Sequence, residues 1–98
     1  MRSLSHLPTS STVSIVVASS NSVVRSDMQE SMRSFLYQRG YYMGDRVAIN
    51  DINSVEAVAL DLSKNFVITA TEHEGLVELR LLDNTRGFQR GVVSFNWN

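Results

Sequence analysis

Three arginines, Arg80, Arg86 and Arg90, crowd one short stretch of this chain, RLLDNTRGFQRG over residues 80–91. Guanidinium groups at that spacing can form a small basic patch around a hairpin turn, where they lend selectivity to a partner contact. Tyr41, Tyr42 and Trp97 lie near the ends of apolar runs, where aromatic rings anchor binding partners. These six residues form the candidate contact set, and the chemistry they offer is docking. Bond making needs other groups. The serines are many, yet neither a Gly-x-Ser-x-Gly elbow nor a Ser-x-x-Lys pair occurs, so no nucleophile has a positioned base. His6 and the Glu72-His73-Glu74 turn lack the spacing that would set metal ligands on one helix face. The loop in VVASSNSVV, residues 16–24, leads from an apolar run into a helical pattern, where backbone N–H groups can hold an anion. It has no glycine and no lysine, so helix capping is the expected role. The expectation is a chain that is not an enzyme, with no metal and no cofactor.

The elements that must carry these residues follow from periodicity. VSIVVAS is rich in β-branched residues and predicts a short buried strand. Val24, Met28, Met32, Phe35 and Leu36 recur on one face of a 3.6-residue period and predict a helix from about Val24 to Arg39. Ser26 with Gln29 has capping-box spacing, Ser22 is an earlier cap, and Gly40 stands at the C′ position. Asp27, Glu30, Arg33 and Arg39 fall on the solvated side, with Glu30 and Arg33 in pairing distance. YYMGDRVAI predicts a strand with a bulge or turn at Gly44. Val55, Val58, Ala59 and Leu62 then predict a second, short helix, with Asn53 and Glu56 at N-cap and N3 spacing. FVITAT and LVELRLL, joined by EHEG, predict a hairpin, and FQRGVVSFNW a last strand after the turn DNTRG.

This order, β-α-β-α-β-β-β, predicts an α/β (α+β) fold: a mixed sheet of about five strands with both helices packed on one face. Length bounds it to one domain over residues 13–98, preceded by a flexible, serine- and threonine-rich lead over residues 1–12. Nine Lys and Arg against ten Asp and Glu, for a net charge of −1, leave no basic footprint for nucleic acid. The absence of cysteine removes disulfides and thiolate chemistry and is compatible with either redox compartment. The apolar runs are far shorter than the ~20 residues of a membrane helix.

VELRLLDNTRGFQRGVVSF also resembles the closing hairpin of the TolB amino-terminal-domain-like group, in which a strand ends in Leu-Asp and a Thr-x-Gly turn follows. The first strand, the SSNS loop leading to a helix that ends LYQRGYY, the GDR at residues 44–46 and AVALDL are similar in order. The similarity spans roughly Val13 to Trp97. Ser63-Lys64-Asn65 replaces the group's Gly-Ala-Asp-like element, and the chain has no lipoprotein cysteine. That group contains periplasmic and envelope accessory domains, among them curli-secretion and penicillin-binding-protein-activator lipoproteins and a flagellar ring protein. The resemblance implies a protein-interaction or assembly module accessory to a bacterial envelope, secretion or appendage system. It would engage a protein partner, or itself, through an edge strand, and would be periplasmic or envelope-associated if trimmed of an export signal, with the cytoplasm as the alternative. A small-molecule-binding regulatory domain that dimerises through its sheet is the alternative function.

Overall fold

A computed structural model describes residues 10–84 with their side chains and residues 88–96 as backbone. Its elements are β1 (Thr12–Ala18), α1 (Ser22–Gln38), β2 (Tyr42–Ile49), a 3₁₀ turn (Ile52–Ser54), α2 (Val55–Asp61), β3 (Phe66–His73), β4 (Leu76–Asp83) and β5 (Phe88–Asn96). The strands form one mixed sheet in the order β2-β1-β3-β4-β5. β1 runs parallel to both β2 and β3, while β4 is antiparallel to β3 and β5 to β4. Ser10 and Ser11, expected in the lead, are held by the fold: Ser10 donates its N–H to the Gly40 carbonyl, and Tyr42 donates to that of Ser11.

The two helices do not share a face. Val13, Ile15 and Val17 of β1 pack with Met28, Met32 and Leu36 of α1, whereas Val16 and Ala18 pack with Val55 and Ala59 of α2. Successive strand residues point to opposite faces, so α1 and α2 cover opposite sides of the sheet, contrary to the expectation above. The cause is strand order. β2 lies on one flank of β1 and β3 on the other, so the two crossovers travel in opposite senses, and crossovers of one hand then place their helices on opposite faces. β1 is buried without alternation from Val13 to Ala18, as a central parallel strand covered on both sides must be.

β2 serves both cores by changing parity midway. Met43 packs into the α1 core, yet Val47 and Ile49, also odd-numbered, pack into the α2 core. Between them the register with β1 slips, from Val13 opposite Met43 to Ile15 opposite Arg46. Gly44 and Asp45 thus both lie opposite Ser14, a β-bulge as expected at Gly44. Ser14 is buried, and its Oγ accepts the Asp45 N–H at 3.0 Å. A Cβ on Gly44 would stand 2.6 Å from that Oγ, so the bulge requires glycine at the point of closest approach.

Local sequence sets the ends of the elements, with two corrections. Asn21, not Ser22 or Ser26, caps α1: its Oδ1 accepts the N–H groups of Val23 and Val24. Asp51, not Asn53, caps the second helical segment, accepting from Asn53 N–H and Ser54 Oγ–H. In each case a short polar side chain earlier in the sequence captured the donors. The β3–β4 hairpin turns through Glu74 and Gly75, both at positive φ (51° and 83°), the type I′ geometry that matches strand twist.

Candidate functional site

Tyr37, Tyr41 and Tyr42, the only tyrosines in the sequence, meet where α1 ends beside the start of β2. With Arg33, Leu36 and Met43 they line a hollow of about 210 Å³. Backbone geometry brings them together. At the end of α1, Tyr41 N–H bonds to the Leu36 carbonyl and Gly40 N–H to that of Tyr37, the paired closure of a Schellman motif. Leu36 and Tyr41 pack in the same core cluster, the apolar contact that accompanies this motif. Tyr41 is therefore half-buried as a wall, while Tyr37 and Tyr42 keep 79% and 62% of their surface exposed. Arg33 is fixed at the rim by its ion pair with Glu30, which holds the Glu30 carboxyl below its usual range. Exposed tyrosine rings around an apolar floor, with a guanidinium at the margin, are the composition of protein-binding hot spots.

Arg80 stands elsewhere. It lies on β4 in the register row Val16, Thr69, Arg80, two strands beyond the one that β2 flanks. Its Nε donates to Glu78 Oε1 at 2.7 Å, and its Nη1 is 3.9 Å from Glu56 Oε1. Together with Asn53, Thr69 and Thr71, these groups border an open hollow of about 360 Å³ on the α2 side, where the seven-residue α2 is too short to cover β3 and β4. Arg90 sits at a β5 bulge, between Gln89 opposite Leu82 and Gly91 opposite Leu81. Arg86 and Trp97 lie outside the described residues. The candidate set is thus divided: Tyr41 and Tyr42 belong to the tyrosine hollow, and Arg80 belongs to a separate polar hollow in which two glutamates flank its charge.

A third cluster, unforeseen in the sequence, joins the carboxyl ends of β1 and β3, where strand order reverses and open α/β sheets hold ligands. Here the protein's own groups occupy the place. The buried Ser19 hydroxyl donates to Glu72 Oε1 at 2.5 Å and accepts from Asn21 N–H at 3.0 Å. The Ser19 carbonyl accepts from Arg25 Nη1 at 2.6 Å, and Glu72 Oε2 accepts from Gly75 N–H at 2.8 Å. The donors from Ser19 and then Gly75 hold the Glu72 carboxyl below its usual value. A carboxylate so stabilised is a weak base, and a fully buried hydroxyl beside it is out of reach of a substrate. The cluster is a clasp between two loops. His73, next in sequence, is exposed and 3.8 Å from Glu74.

The signals for these arrangements were partial. Tyr37 falls off the apolar stripe of α1 and reads as surface; only the chain reversal at Gly40 sets Tyr41 and Tyr42 beside it. Compared with protein-family models, curated proteins and solved structures, the chain matches none.

Proposed function

We propose that this chain is a non-enzymatic protein-interaction module that docks a partner protein at the tyrosine hollow. The observation that supports it is the convergence of Tyr37, Tyr41 and Tyr42 on one small apolar hollow, with two of the three rings exposed. Tyrosine offers large contact area at low entropic penalty, and burying two such rings against a partner supplies the anchoring contacts of an interface. The resemblance to TolB-like accessory domains extends this reading to an assembly role in a bacterial envelope, secretion or appendage system, in the periplasm or at the envelope.

Site-specific photocrosslinking in the source cells tests the docking. A photoreactive residue at Tyr42 is expected to give a discrete adduct, and one at the exposed Leu60 of α2 is not. Equal labelling from both positions, or none from Tyr42, would sink the proposal. Fractionation of the same cells tests the location, with a cytosolic product removing the envelope role.

The polar hollow beside Arg80 favours a second reading, a regulatory domain that binds a small molecule. A thermal-shift screen with metabolites separates the two, since a ligand at a hundred times its Kd stabilises a domain by about 2.7 kcal/mol.

A further inference from the structure

The two edges of the sheet are built differently. β2 carries the bulge at Gly44–Asp45 and the adjacent charges of Asp45 and Arg46, with Asp45 drawn toward Lys64 at 3.9 Å. Bulges and charges are the devices by which edge strands resist pairing. β5 has its own bulge at Arg90, but from Gly91 to Asn96 it pairs with β4 without interruption. That segment, GVVSFN, contains no charge and no proline and is rich in strand-forming residues. Its outer flank has no strand partner among the described residues. A regular, uncharged edge is a template for another strand.

We propose that two copies of this chain pair β5 to β5, antiparallel across a two-fold axis, and so join their sheets into one. An antiparallel pair of identical segments is self-complementary, because the two-fold sets each donor and acceptor opposite its counterpart. Centred on Val93, which then faces its own copy, the pairing leaves the two Arg90 residues at opposite ends, so like charges do not face each other. The neutral segment offers no charge code to select a foreign strand, which favours a second copy as its occupant. The contact also closes. Pairing consumes the one edge that is unguarded among the described residues and leaves the bulged, charged β2 edges outermost, so assembly stops at two instead of growing into a fibre. The inference rests on the assembly reading above only in taking a sheet edge as a contact; the tyrosine hollow plays no part in it.

Sedimentation and light scattering of the full chain over a concentration series test this, together with Val92→Pro and Val93→Pro. Neighbouring residues of an edge strand direct their N–H groups to opposite flanks, so one of the two prolines spares the β4 ladder and blocks the outer one. The expected result is a dimer of 11.0 kDa chains that becomes a folded monomer in one proline variant. Should both variants unfold, amide exchange of wild type decides: outward N–H groups within Gly91–Asn96 are expected to slow at least tenfold as the dimer forms. A wild-type monomer up to roughly 0.5 mM, where even a weak contact of Kd near 0.1 mM is mostly formed, would overturn the proposal. So would a mass that climbs past two chains, a dimer that persists in every folded proline variant, or exchange independent of concentration. Loss of the dimer with Tyr42 crosslinking intact would remove the strand pairing and leave the docking function standing; the reverse result would do the opposite.

Discussion

The Ser19 hydroxyl, fully buried, donates to Glu72 Oε1 at 2.5 Å and so fastens the β1–α1 loop to the β3–β4 hairpin. Since Glu72 also accepts from Gly75 N–H, one carboxylate ties three segments, and its charge state matters to the fold.

Folding stability should therefore fall in acid. The carboxyl of Glu72 is held below its ordinary value of 4.5 in the folded state, first by Ser19 and then by Gly75. A depressed folded value means the stabilisation is present above pH 4.5 and lost as pH falls below it. Urea denaturation of wild type and Glu72→Gln between about pH 6 and about pH 3 checks this. The variant is expected to be less stable at the upper end and the gap to narrow on acidification. A gap that stays constant would assign the difference to packing.

Removal of the donor is expected to cost about 1–2 kcal/mol, because Ser19→Ala breaks the bond to Glu72 and leaves Asn21 N–H without its acceptor. A Ser19→Ala/Glu72→Gln double variant should lose less than the sum of the two single losses, by 0.5 kcal/mol or more as a rough threshold for coupled neighbours.

Helices on opposite faces make neighbouring residues of β1 equally intolerant. Ile15→Ala is expected to cost about 2–5 kcal/mol and Val16→Ala about 2 kcal/mol, since each is wholly buried, one under α1 and the other under α2. A Val16→Ala change within about 0.5 kcal/mol of wild type would mean that the second face is open to water.

Gly44→Ala should destabilise by about 1–3 kcal/mol, because the new Cβ meets the buried Ser14 Oγ at 2.6 Å. Denaturation of Gly44→Ala in the Ser14→Ala background separates clash from the lost acceptor of Asp45 N–H: the alanine at position 44 is expected to be tolerated better there than in wild type.

Tyr37→Ala/Tyr42→Ala tests the hollow without testing the core. Both rings are largely exposed, so the unfolding free energy should stay within about 1 kcal/mol of wild type. Crosslinking from a probe placed next to the hollow, at the exposed Gln38, should fall tenfold or more, as removal of an interface anchor does.

Much of this architecture was written plainly in the chain. The stripe of Met28, Met32 and Leu36 specified α1, and the alternation of Val77, Leu79 and Leu81 specified β4, because one-sided burial leaves a period to read. The arrangement of the helices was missed, although the apolar run Ile15–Ala18 in β1 is the mark of a strand covered on both faces. Caps were misassigned where several polar side chains follow one another near a helix start, as at Asn21, Ser22 and Ser26. The tyrosine hollow stayed hidden because it depends on a reversal of direction at Gly40. Two of its tyrosines lie on the strand side and one on the helix, and no linear spacing records that.

The bulge at Gly44–Asp45 gives β2 one residue to spare. Met43 faces one core, and Val47 and Ile49 face the other, because the bulge takes up the residue that would otherwise set all three on one face. Deleting Asp45 would leave Met43 opposite Val13 and Val47 opposite Val16 in an evenly alternating strand, so both cores keep their residues. Deleting Ala48 instead turns either Val47 or Ile49 out of the α2 core. Among edits to this region, loss of a residue at the bulge should therefore be milder than loss of one beyond it, and lineages of this fold should vary in residue count at the bulge.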